Sequence, residues 1–142
     1  MVVPEAYVDV NVFVYWLGGH PRFGETARRW VKRIERAPRG RYVTSSLTLY
    51  EVSVIIAGLS GRSLRDESLI RTVIGQISSL PGLSVLPLTE GDCVRAASAV
   101  EEYDLDYEDA LHLAVALRSG TKKIISNDQD YERTPLERIF TE

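Results

Sequence analysis

The sequence predicts an α/β fold in which a parallel sheet is covered by helices on both faces. Short β-branched or apolar runs recur along the chain, at Tyr7–Val12, Arg41–Ser45, Leu83–Leu86 and Lys122–Ser126. Helical stretches with apolar residues three and four apart lie between them, and that alternation favours parallel strands joined by helical crossovers. The 142 residues, 44% hydrophobic and 26% charged, suffice for one buried core, so a single domain over 1–142 is expected and extensive disorder is not.

The elements follow in order. Tyr7-Val8-Asp9-Val10-Asn11-Val12 reads as the first strand, with the apolar run to Leu17 able to turn helical. Gly18-Gly19-His20-Pro21 breaks the chain. A helix over Glu25–Ala37 would bury Ala27, Trp30, Val31 and Ile34 at i, i+3, i+4 and i+7. After the strand Arg41–Ser45, a helix over Leu47–Leu59 is expected to turn Leu47, Tyr50, Val54 and Ile55 inward, with Gly58 and Gly61 near its end. Asp66–Leu80 supports a helix burying Leu69, Val73 and Ile77, and Pro81-Gly82 turns into the strand Leu83–Leu86. Thr89 with Asp92, and Asp106 with Asp109, have the spacing of helix-opening capping boxes, for helices reaching about Tyr103 and Leu117. Lys122–Ser126 is a buried strand, Asn127–Asp130 a turn and Leu136–Phe140 a last strand.

One cysteine, Cys93, excludes an internal disulfide and a cysteine-rich zinc site, in keeping with a reducing cytoplasm. The N-terminus lacks the basic and apolar regions of a signal peptide, and no apolar run approaches the ~20 residues of a membrane helix. A cytoplasmic protein without membrane contact is therefore expected. The net charge of −3 does not advertise nucleic-acid binding, but its distribution does. Arg22, Arg28, Arg29, Lys32, Arg33, Arg36, Arg39 and Arg41 face only Glu25 and Glu35 within one segment, whereas Glu101–Asp109 carries six acids and no base. A positive stretch beside a negative one suits phosphate attraction next to a cation site, although two solvated helix faces would give the same pattern.

Parallel α/β sheets place their functional crevice beyond the carboxyl ends of the strands. Four acids fall at such positions. Asp9 lies in the first strand, where an unpaired charge is costly to bury. Asp128 follows the strand ending at Ser126, Glu51 lies early in the second helix, and Asp109 lies in the first turn of its own helix. Singly, each has a plainer explanation: Glu51 and Asp109 as capping-box partners of Thr48 and Asp106, Asp128 as a turn residue, Asp9 as an edge or backbone-bonded carboxylate. Together they suggest a shared cation, because clustered carboxylates raise one another's pKa unless an ion neutralises them. Oxygen ligands favour Mg²⁺ or Mn²⁺, ions that activate water and clamp a phosphate for in-line attack.

These segments resemble the four motifs of the PIN-domain family: Val8-Asp9-Val10-Asn11-Val12, Thr44–Glu51, Asp109–Ala116 and Ser126–Tyr131, in the family's order across nearly the whole chain. The resemblance implies a three-layer α/β/α sandwich with a central, mainly parallel sheet, and Mg²⁺- or Mn²⁺-dependent hydrolysis of RNA. It carries the metal-site and catalytic roles onto Asp9, Glu51, Asp109 and Asp128, and supporting roles onto Asn11 and Ser126. Asp106 and Asp130 stand where some members add an acid. Ser126 and Tyr131 replace the family's usual Thr and Phe, which keeps the hydroxyl and the ring. A chain of this length resembles the toxin ribonucleases of prokaryotic toxin–antitoxin pairs, which implies a homodimer and a cognate antitoxin. Arg22, Arg28, Arg29, Lys32 and Arg33 are the expected contacts to the RNA backbone.

Other features speak against competing chemistry. No Cys/His spacing suggests zinc, and no Gly-rich lysine loop suggests a nucleoside triphosphatase. A haloacid-dehalogenase-type phosphatase would need Asp-x-Asp where this chain has Asp9-Val10-Asn11. His112 is expected as a partly buried helix residue, His20 as an exposed loop residue, and Trp16, Trp30 and Tyr107 as packing residues. A catalytically silent module binding RNA or protein is the alternative function, disfavoured by the retention of all four acids.

Overall fold

The computed structural model describes residues 3–141. Its elements are β1 (Ala6–Val8), α1 (Val10–Leu17), α2 (Gly24–Arg36), β2 (Tyr42–Ser45), α3 (Ser46–Leu59), α4 (Glu67–Ser78), β3 (Leu83–Leu86), α5 (Glu90–Glu102), α6 (Tyr107–Ser119), β4 (Lys123–Ile125), a 3₁₀ helix (Gln129–Arg133) and β5 (Glu137–Ile139). The sheet has the order β3-β2-β1-β4-β5, and every pairing is parallel. From β1 the chain winds outward through β2 to β3, then returns to the other side of β1 for β4 and β5. The strand order thus reverses between β1 and β4, which opens a crevice beyond their carboxyl ends.

The two-residue period of the strands divides the core into two layers. Ala6, Val8 and Ile125 point to one face and pack with Val12, Phe13, Trp30, Ile34, Val52, Ile56, Val73 and Ile77 from α1 to α4. Tyr7 and Ile124 point to the other and pack with Ala96, Leu113, Val115 and Tyr131, under α5 and α6. This is the expected α/β/α sandwich. Among the described residues, no helix is long and apolar enough to cross a membrane.

Most elements match their expected spans within one or two residues, and the stripes Ala27/Trp30/Val31/Ile34 and Leu69/Val73/Ile77 are buried. The Thr89–Asp92 capping box is formed in both directions.

Three expectations need correction. The first strand stops at Val8: Asp9 is the N-cap residue of α1, and Val10 to Leu17 are helical. Its neighbour β4 is only three residues long, so the ladder ends with the hydrogen bond from Asp9 N to Ile125 O.

The buried face of α3 is also different. Thr48, Val52, Ser53, Ile56 and Ala57 point inward, while Tyr50 is 63% exposed and Val54 and Ile55 are exposed beside it. Apolar residues occur all round this helix, so periodicity alone gives no phase. The phase comes from the junction with β2, where the Thr44 hydroxyl donates to Val8 O and shares a second hydrogen bond with Thr48 Oγ1, each 2.8 Å. A hydroxyl whose hydrogen bond is satisfied can be buried at little cost.

His20, finally, is not a free loop residue. Its Nδ1 accepts hydrogen bonds from the backbone N–H groups of Arg22 and Phe23, and its ring stacks on Phe23. Trp30 is buried, with Nε1 donating to Phe140 O, as a packing residue should be.

Candidate active site

The short β1 and β4 strands end side by side, and each hands its next residues to the crevice. Asp9 caps α1 without using its side chain for the cap, which frees the carboxylate to point across to β4. There Ser126 Oγ donates to Asp9 Oδ2 at 2.6 Å and accepts from Asn11 Nδ2 and from the Asp128 backbone N–H. Asn11 Oδ1 accepts from Asn127 N, so one residue on α1 ties the β4 turn in place. Asp9 is 5% exposed, and burial pushes its carboxyl pKa up despite the opposing charge of His112 and the Ser126 bond.

The other walls come from α3 and α6. On α6, His112 lies four residues after Glu108 and three after Asp109, the two spacings that bring helix side chains together. They line a cleft of about 220 Å³ together with Asp9, Asn11, Glu51 and Asp128. Glu51 is not a cap: Ser45 is the N-cap residue of α3, and Thr48 bonds to Thr44 instead. Its carboxylate meets His112 Nε2 at 2.5 Å. Burial alone would raise Glu51, but the bonds to His112 and Glu108 and the histidine charge hold it below its ordinary value. Glu108 moves up because it shares a hydrogen bond and like charge with Glu51. Burial opposes protonation of His112, yet Tyr7, Glu51 and Asp9 together raise it well above the usual value.

Asp109 is strongly perturbed in the opposite sense to Glu51. Burial, reinforced by the charges of Asp128, Asp106 and Asp9, raises it to about 7. The hydroxyl of the buried Tyr131 lies 3.4 Å from its Oδ1. Oxygens of Asp109, Asp128 and Asp130 lie within 4.8 Å of one another. Hard oxygen donors crowded this closely, one with its proton partly retained, fit a divalent cation of the Mg²⁺ or Mn²⁺ kind, whose charge would relieve their repulsion.

The four expected acids therefore meet in one cleft, with Asn11 beside them in its lining and Ser126 bonded to Asp9 behind it. Asp130 joins Asp109 and Asp128 at the rim, where it also pairs with Arg133. Asp106 stays outside as the N-cap of α6, accepting from Asp109 N, and Asp128 likewise accepts from Asp130 N. The plainer capping and turn roles are thus real for Asp106 and Asp128, and for Asp128 compatible with the cleft. Arg22, Arg28, Arg29, Lys32 and Arg33 lie outside the cleft, in or just before α2; Arg28 lines a separate hollow with Tyr15, Trp16 and His20. The sequence reading gave Glu108 no place in the site and took His112 as a partly buried helix residue, whereas both line the cleft. The signal was present: His112 follows Asp109 by three residues and Glu108 by four, both within one helical turn.

The sequence model of the PIN domain matches residues 6–136. No curated protein matches the chain by sequence. Among solved structures, the toxin VapC20 of Mycobacterium tuberculosis, which cleaves the sarcin–ricin loop, superposes with a TM-score of 0.71 at 18% identity, covering 90% of this chain and 93% of its own. A toxin–antitoxin complex from Klebsiella pneumoniae gives 0.62 at 20% identity, covering 94% and 99%. VapBC2 from Rickettsia felis, bound to a DNA fragment of its promoter, gives 0.66 at 14% identity, covering 95% and 97%.

Proposed function

The chain belongs to the PIN domain family, and from that membership and the cleft we propose that residues 1–142 form a single-domain, Mg²⁺- or Mn²⁺-dependent ribonuclease. The observation that carries this reading is the convergence of Asp9, Glu51, Asp109 and Asp128, drawn from four separate points of the chain, on one cleft.

In this reading the four carboxylates hold the ion and are the catalytic residues. A divalent ion bound there supplies Lewis-acid stabilisation of the charge that builds on the phosphate. The protein's own contribution is orientation. Ser126 fixes one oxygen of Asp9, Asn11 fixes Ser126, and the Asp128 backbone is anchored to the same hydroxyl. Asp106 holds the first turn of α6, and so the place of Asp109, while Asp130 adds a carboxylate at the rim. Arg22, Arg28, Arg29, Lys32 and Arg33 attract the RNA backbone from outside the cleft.

The likeness to VapC20 and to two toxin–antitoxin assemblies supports the further reading that this is the toxin of such a pair, cytoplasmic, homodimeric and held inactive by a cognate antitoxin. The deciding experiment is cleavage of a mixed RNA substrate by the purified chain with Mn²⁺ and with EDTA, alongside Asp9→Asn. Cleavage should require the metal and vanish in the variant while the circular dichroism spectrum is retained. Equal cleavage in EDTA, or full activity of Asp9→Asn, overturns the assignment.

A further inference from the structure

Glu51 is held differently from the other acids in the cleft. Asp9 leans on a hydroxyl and Asp128 on the backbone N–H of Asp130, but Glu51 meets the imidazole of His112. His112 is 2% exposed and Tyr7 is fully buried, so neither ring can turn to water for a partner. Both nitrogens of His112 are engaged: Nε2 by Glu51 Oε1 at 2.5 Å and Nδ1 by the Tyr7 hydroxyl at 2.6 Å. The Tyr7 hydroxyl also reaches Ser45 Oγ at 2.9 Å.

An ionised carboxylate only accepts hydrogen bonds, so the nitrogen that faces it must carry a proton. A phenol hydroxyl can donate or accept, so Tyr7 can satisfy Nδ1 whichever way that nitrogen is protonated. We propose that Tyr7 and His112 form a positioning pair for Glu51, in which the hydroxyl occupies Nδ1 so that Nε2–H is presented to the carboxylate. The chain of bonds starts at Ser45, the N-cap residue of α3, and returns to Glu51 on the same helix. It therefore fixes the rotation of α3 against β1 and α6, and turns Glu51 toward the cleft although the helix carries apolar residues on every side. Metal-binding carboxylates commonly depend on such outer partners for orientation.

This inference rests on the metal-dependent reading above, and its test separates the two. Mn²⁺ binding is measured calorimetrically on the whole chain for wild type, Tyr7→Phe, His112→Gln and His112→Leu, with thermal melts of each without metal. Tyr7→Phe keeps the ring and its packing, yet should weaken Mn²⁺ binding about tenfold, as removal of an outer partner does. His112→Leu should weaken it at least as much, and His112→Gln, which retains an N–H donor, should retain more affinity than His112→Leu. Adding Tyr7→Phe to His112→Leu should cost little more, because the hydroxyl acts through the imidazole. If His112→Leu does not fold, Tyr7→Phe decides. A folded Tyr7→Phe with wild-type affinity, or effects that simply add, overturns the pair. Nitrogen-15 spectra of the metal-free protein supply an independent readout: His112 should carry a hydrogen-bonded proton on Nε2. A ring protonated on Nδ1 alone overturns the pair whatever the metal does, whereas wild type that takes up no Mn²⁺ overturns the metal reading on which it rests.

Discussion

Arg118 in the last turn of α6 grips Asp92 at the start of α5 with two parallel hydrogen bonds, Nε to Oδ1 and Nη2 to Oδ2, each 2.9 Å. The Asp92 side chain is fully buried and also receives Arg95 and the Thr89 backbone N–H, so one carboxylate ties α5 to α6 and caps α5. Burial alone would raise its pKa, but these partners hold it far below the usual carboxylate range.

A carboxyl depressed in the folded state contributes stability above its unfolded pKa, near 4, and loses it as pH falls further. Arg118→Met leaves Asp92 with Arg95 and the Thr89 backbone N–H and should cost about 1–3 kcal/mol at pH 7. The deficit relative to wild type should shrink on acidification from pH 4 downward. Urea unfolding at several pH values checks this; a pH-independent deficit would assign the loss to packing instead.

Asp109 has the opposite sign. Its carboxyl is raised to about 7, so in metal-free protein the charged form is destabilising above the unfolded pKa, and that burden grows until pH passes about 7. Asp109→Asn should therefore stabilise metal-free protein at pH 8 by about 1 kcal/mol or more, and hardly at all at pH 4. Divalent-ion uptake by wild type should tighten as pH rises through 7, with proton release below it. Thermal melts and calorimetry in buffers of different ionisation heat measure both.

Ser126→Ala removes the hydroxyl that serves Asp9, Asn11 and Asp128 together. Metal affinity or cleavage should fall about 10- to 100-fold with the fold retained, as expected when an outer partner is removed. Ser126→Thr, which restores the hydroxyl, should recover most of it. The comparison of the two variants separates the hydroxyl from the packing.

Replacing Arg28, Arg29 and Lys32 by Ala removes three exposed charges from α2, outside the cleft. KM for RNA should rise while kcat changes little, and the dependence of log KM on log salt should flatten by about 0.7 for each phosphate of a single strand that the protein no longer neutralises. An unchanged salt slope would leave the basic face without a part in substrate capture.

Much of this molecule is decided locally, and that part is legible in the sequence. The buried stripe of α2, the capping box of Thr89 and Asp92 and the positions of β2 to β5 depend on residues within a few places of one another. Backbone propensity and hydrophobic period act over that range. The strand–helix alternation then orders the sheet, which is why Asp9 and Asp128 could be expected near each other at its carboxyl edge.

Tertiary structure alone decided the rest. The phase of α3 is ambiguous in a helix that is apolar all round, and it is set by bonds reaching from Thr44 to Thr48 and from Tyr7 through His112 to Glu51. Asp9 meets Ser126 across 117 positions of sequence, and Glu51 meets His112 across 61. Such pairs leave no periodic trace, because hydrogen-bond partners in a buried cleft are chosen by proximity after the layers have packed. The sequence by itself therefore determined which acids stand at the edge of the sheet; packing determined how each carboxylate is held and which neighbours set its charge.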